Sequence, residues 1–104
     1  MKMLSKIWRW LRRLGIGGSE SRIDSLSQLI RLDRDGYKYI EGERSLVLQI
    51  DMLRGVPNRL LYSSTIKRWL PPYQDERISE EDRQRIATKI ANFLVSQGYS
   101  VKVD

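Results

Sequence analysis

Leu29-Ile30-Arg31-Leu32-Asp33-Arg34-Asp35-Gly36-Tyr37-Lys38-Tyr39-Ile40-Glu41-Gly42-Glu43-Arg44-Ser45-Leu46-Val47-Leu48-Gln49-Ile50-Asp51-Met52 is a chain of three β-rich runs punctuated by two turn signals. Residues 29–33 form the first run. Asp35-Gly36 then offers the two central residues of a type I′ hairpin turn, both of which need positive φ. Residues 37–40 return antiparallel, and Gly42-Glu43 supplies the second turn. The third run shows the clearest period of two: Leu46, Leu48, Ile50 and Met52 share one side, with Gln49 and Asp51 on the other. Three strands joined by tight turns make a β-meander.

Further along, Gly55-Val56-Pro57-Asn58 breaks the pattern, and Leu60-Leu61-Tyr62 gives another short apolar run. In Ser63-Ser64-Thr65-Ile66-Lys67-Arg68-Trp69-Leu70-Pro71-Pro72 the serines are placed to cap a brief helical turn, and the paired prolines predict an extended exit. A polar loop follows over residues 73–77. The strongest helix signal begins at Ser79, a capping residue followed by Glu80, Glu81 and Asp82 at the positive end of the helix dipole. Ile86, Ile90, Phe93 and Leu94 then fall on one stripe beside Ala87 and Ala91, and Gly98 ends the helix. Ile90 and Phe93, at the centre of that stripe, are predicted to be fully buried. Residues 99–103 alternate as a last strand. The fold class is therefore α+β: a mainly antiparallel twisted sheet with one C-terminal amphipathic helix packed on it.

The N-terminal end differs in character. Leu4, Ile7, Leu11 and Leu14 recur at helical spacing, with Lys6, Arg9 and Arg13 opposite and Trp8 and Trp10 on the flanks. Gly15-Ile16-Gly17-Gly18-Ser19 is a flexible joint. Lys2, Lys6, Arg9, Arg12, Arg13 and Arg22 face Glu20 alone in the first 22 residues, so this end carries nearly all of the net charge of +6. The predicted organisation is a basic amphipathic helical arm over residues 1–18 and a single α+β domain over residues 19–104. The arm is too short and too charged to span a bilayer, and its arginines interrupt what would be the apolar core of a secretory signal. Four readings stay open for Ile7, Trp8, Arg9, Trp10, Leu11 and Arg13. They are packing on the arm's own domain, an anionic membrane surface, a groove on a partner protein, and nucleic acid phosphates, ranked last because no recognition motif accompanies the charge.

With 104 residues, no cysteine and no histidine, the chain has material for one modest core and lacks several common chemical groups. Disulfides, thiolate metal sites and His-based triads are impossible, and the usual general base near neutral pH is missing. Neither a cofactor nor a metal is expected. Asp33-Arg34-Asp35-Gly36 fails as a calcium loop, because aligning Gly36 puts Arg31 at the first ligand position and Gly42 at the bidentate one. Glu80, Glu81 and Asp82 are consecutive on a helix and do not converge on an ion. Catalysis is disfavoured, and the cysteine-free composition fits a cytoplasmic location, with a place peripheral to the inner membrane left open by the arm.

Trp69 beside two prolines admits two readings: a cap on the end of the core, or an anchor presented on a rigid loop with Leu70 and Tyr73, with Lys67 and Arg68 adding charge complementarity. The run Tyr62-Ser63-Ser64-Thr65-Ile66-Lys67-Arg68-Trp69-Leu70-Pro71-Pro72, then Ile78-Ser79-Glu80-Glu81-Asp82-Arg83 leading into Arg85-Ile86, then Gly98 and the alternating tail, resembles the immunity protein 74 family of bacterial polymorphic-toxin systems. The resemblance spans residues 37–103. Leu70 stands where the family pattern often carries an acid, and the arm lies outside the match. The resemblance implies a protein that neutralises a cognate toxin by binding it, which makes Lys67, Arg68, Trp69, Leu70 and Tyr73 the candidate partner-binding residues. The alternative is a peripheral membrane adaptor acting through the arm.

Overall fold

In the computed structural model, which describes residues 20–104, the meander extends in both directions into one sheet. The strands are β1 (Glu20–Arg22), β2 (Ser27–Arg31), β3 (Gly36–Glu41), β4 (Arg44–Met52), β5 (Arg59–Tyr62) and β6 (Val101–Val103), and the spatial order is the chain order. Every neighbouring pair is antiparallel except β5 with β6, which run parallel because helix α1 (Glu80–Ser96) carries the chain back between them. The predicted helical arm, with Ile7, Trp8, Arg9, Trp10, Leu11 and Arg13, lies outside the described residues. No helix among the described residues is long and apolar enough to cross a membrane.

Register places the core residues of the sheet on one face, while Ile30, also buried, points to the other face and lies outside that cluster. Leu29 sits opposite Tyr39, Tyr39 opposite Leu46, and Ile50 opposite Leu61. All five pack with Leu48 against Ile86, Ala87, Ile90 and Leu94 of α1 and against Ile66, Trp69 and Ile78 from the segment between β5 and α1. Ile90 is fully buried as expected, but Phe93 is only partly buried. The covered stripe of α1 runs through Ile86, Ala87, Ile90 and Leu94, so Phe93 falls on its flank. Met52 is likewise exposed: it ends β4 and lies outside the buried cluster.

Local chemistry explains the connections. Gly42 has φ of 61°, suiting the first central position of the two-residue turn between Glu41 and Arg44. The other predicted turn is built differently. Gly36 opens β3 without positive φ, and its N–H donates to Asp33 Oδ1 at 2.7 Å. A Cβ at Gly36 would meet that same oxygen at 2.7 Å and push the carboxylate off the Gly36 N–H, so glycine suits this position through close approach and not through left-handed backbone. Helix α1 starts where Ser79 Oγ accepts from the Asp82 N–H at 3.0 Å. It ends at Gly98, φ 99°, with Tyr99 N–H donating to Leu94 O and Gly98 N–H to Val95 O, a Schellman arrangement.

A candidate partner-binding ribbon

Strand β4 is longer than its partner β5, which pairs only with residues 49–52. The remaining edge of β4 would be left open to stray pairing. Residues 63–79 close it. A 3-10 turn at Ser63–Thr65 brings Thr65 Oγ1 to the N–H of Gln49 at 3.0 Å, and the same hydroxyl donates to Tyr62 O at 2.6 Å. Thr65, and not the two serines, therefore secures this turn. Farther along, Leu70 N–H donates to Ser45 O at 2.7 Å.

Beyond Leu70 the chain does not leave extended as the prolines suggested. It folds back, with Tyr73 N–H donating to Leu70 O and Glu76 N–H to Tyr73 O, both at 3.0 Å. The return brings Arg77 opposite Arg68 in an antiparallel bridge. A short ribbon results, in which the bridged pair Arg68 and Arg77 points outward and the next residue of each, Trp69 and Ile78, points inward. Trp69 and Ile78 face the core at 6% and 8% exposure, while Lys67, Arg68 and Arg77 are exposed to solvent.

The β3–β4 hairpin clamps the far end of the ribbon. Arg44 donates to both carboxylate oxygens of Glu76 at 2.8 Å and lies over the Tyr73 ring at 4.4 Å. Tyr73 Oη in turn donates to Glu43 Oε1 at 3.3 Å. The guanidinium holds the Glu76 carboxyl below its ordinary range. At the other end, Arg83 of α1 donates to Ile66 O at 3.1 Å.

The expected site residues thus separate by burial. Lys67 and Arg68 are exposed, Leu70 and Tyr73 are partly buried, and Trp69 belongs to the core. Of the two readings of Trp69, its burial is that of a core residue, because bridge pairing turns position 69 inward whenever position 68 points outward. Arg77 is brought to the ribbon without any sequence signal. It lies in a polar loop, and only the fold makes it the neighbour of Arg68.

A second polar cluster, also invisible in the sequence, joins α1 to the sheet. Arg85 donates to both oxygens of Glu41 at 2.9 and 3.1 Å, and Tyr39 Oη donates to Glu41 Oε1 at 2.6 Å. Lys89 Nζ reaches Ser27 Oγ and Asp24 Oδ2, each at 3.2 Å. Arg85 lowers the Glu41 carboxyl, and burial raises the Tyr39 phenol. Asp24, accepting from the Leu26 N–H and then from Lys89, is pulled down to about 2. A serine beside a lysine suggests an activated nucleophile. Ser27 is 0% exposed, however, and no substrate atom could reach its hydroxyl. The cluster acts as a clamp.

Among the described residues no group of three or more acidic side chains is placed to hold a metal ion. Structure and chemistry together define a small α+β domain with a helix packed on one sheet face and a braced, cation-bearing ribbon along the edge of its longest strand. The family profile described as immunity protein 74 matches residues 29–104, and the chain belongs to that family. The match begins at β2, eight residues before the point where the sequence resemblance started, and covers the ribbon and α1 in full. No curated protein and no solved structure matches the chain.

Proposed function

We propose that the chain is an immunity protein that neutralises a cognate bacterial toxin by direct, stoichiometric binding in the cytoplasm, without catalysis. The observation that carries this reading is the family match running through the ribbon, on a segment that is braced at both ends and turns its cations to solvent. The contact surface comprises Lys67, Arg68, Leu70 and Tyr73. Trp69 supports it from beneath, holding the ribbon to the core. A surface already ordered before the partner arrives loses little conformational entropy on binding, so each contact contributes more to affinity.

The test is a protection assay in cells that express candidate toxins taken from the genome that encodes this chain. The unsubstituted chain should restore growth. A Lys67→Glu/Arg68→Glu variant should melt as the parent does yet protect poorly, since charge reversal at an interface slows association and raises like-charge repulsion. Failure of the parent chain to protect would refute the immunity reading. Full protection by the variant would move the contact surface away from the ribbon.

A further inference from the structure

The Arg68–Arg77 bridge is electrostatically unfavourable as it stands. Directly opposed cross-strand residues lie within side-chain contact, and like charges in that position destabilise the pair. The protein has ways to relieve this and does not use them. Glu76, next to Arg77, is held by Nε and Nη2 of Arg44, and Glu43 accepts from Tyr73. Asp75, in the same loop, is in no ion pair with either arginine. Among the described residues no carboxylate pairs with Lys67, Arg68 or Arg77, and residues 1–19 contain no acid that could do so. Arg34, Arg54 and Lys102 are also exposed and in no ion pair, but among the described strand pairings Arg68 and Arg77 are the two cations set directly opposite one another.

From this juxtaposition we infer that Arg68 and Arg77 form a preset fork for carboxylates, with exposed Lys67 next in the chain adding positive charge, and that the toxin element docking there is acidic. The inference rests on the immunity reading above and adds the chemistry of the partner. Backbone pairing sets the two arginine side chains leaving the ribbon from directly opposed positions, and Trp69 and Ile78 pin the adjacent positions in the core. Guanidinium is the group best matched to carboxylate, through paired N–H donors. Binding an acidic segment would cancel the repulsion built into the ribbon, so the free protein gives up some stability that the complex recovers. Phosphate groups of nucleic acid would also satisfy the charge. A carboxylate-bearing protein segment is favoured because Leu70 and Tyr73 add partly apolar surface beside the fork.

The inference makes a prediction of unusual sign, which a purely structural role would not make. Arg77→Gln in the full chain should leave the melting midpoint unchanged or raised, and should weaken binding of an acidic partner. The probe is a hexaglutamate peptide, followed by the backbone amide and arginine Nε–H resonances of the labelled protein, with hexaglutamine as the neutral control. Hexaglutamate should shift Lys67, Arg68 and Arg77, hexaglutamine should not, and Arg77→Gln should weaken the site at least about threefold, with a shallower salt dependence. Shifts confined to the basic residues before position 20 would overturn the inference. So would a lowered midpoint in Arg77→Gln, or tighter binding of an oligothymidylate of equal charge at the same residues. Arg68→Gln/Arg77→Gln completes the test in the protection assay. Undiminished protection would overturn the acidic docking element while leaving the immunity reading intact, whereas no protection by the parent chain would remove the reading itself.

Discussion

Replacing Trp69 by alanine separates a core residue from a surface anchor by an effect too large to mistake. Trp69 is 6% exposed and packs in the cluster that contains Ile66, Ile78 and the inner residues of β4. Truncating a buried aromatic removes its transfer free energy and leaves a cavity, at a combined cost of about 3–5 kcal/mol. Small domains have total stabilities of roughly 5–15 kcal/mol, so the variant should lie near the edge of folding. With a urea m-value of about 1.5 kcal/mol/M, typical for this size, the midpoint should fall by about 2–3 M. Far-UV circular dichroism is the appropriate signal, because Trp8 and Trp10 would remain to confuse fluorescence. Trp69→Phe, which keeps much of the volume, should fall between the variant and the parent and supplies a folded reference. A midpoint shift below about 0.5 M with an unchanged m-value is what an exposed side chain would produce. That result would refute both the burial of Trp69 and the account of the ribbon as held from beneath.

Two further outcomes follow from the helix and its clamp. Ser79→Ala removes the side-chain acceptor for the Asp82 N–H, and should lower stability by about 1 kcal/mol, measured by urea denaturation at neutral pH. Glu41 and Asp24 both have folded-state pKa values depressed from their ordinary 4.5 and 3.8, Asp24 to about 2. Their stabilisation is therefore complete above about pH 4.5 and is lost as pH falls through the folded-state values. A series of melts from pH 7 to 2 should decline over that range, and Glu41→Gln should be less stable at pH 7 with a shallower acid decline. An identical acid profile in the variant would show that the Arg85–Glu41 contact is not coupled to folding.

The sheet was legible because β4 and the hairpin before it obey a period of two, and burial of one face leaves no freedom of register. Helix α1 was legible from its cap, its stripe and Gly98. Strand β1 was not: three residues, Glu20–Arg22, carry no measurable alternation, and pairing with β2 alone defines them as a strand. Asp35-Gly36 signalled a turn at the right place for the wrong reason. Close approach of the Asp33 carboxylate and left-handed φ leave the same glycine in a sequence. The clamp among Asp24, Ser27, Glu41, Arg85 and Lys89 joins residues as far apart as Asp24 and Lys89, and no local pattern records such a distance. Phe93 and Met52 matched their periods, but Phe93 packs at the margin of the core and Met52, at the end of β4, is exposed.

The candidate site exposes the same limit more sharply, because Arg68 and Trp69 are adjacent and have opposite duties. In a ribbon, neighbouring side chains point to opposite sides, so once Trp69 is committed to the core Arg68 must face water, and the bridge forces Arg77 outward beside it as Ile78 goes in. A sequence reader sees an aromatic residue among cations and prolines, and can assign the group to core or to interface. The fold assigns it to both, one residue at a time. Stability and recognition are then carried by alternate positions of one segment, which is why Trp69→Ala and Arg77→Gln are expected to move the melting midpoint so differently. A uniform loss of stability across positions 68, 69, 77 and 78 would mean that the alternation is absent in solution, and the acidic docking element would lose its support along with the ribbon.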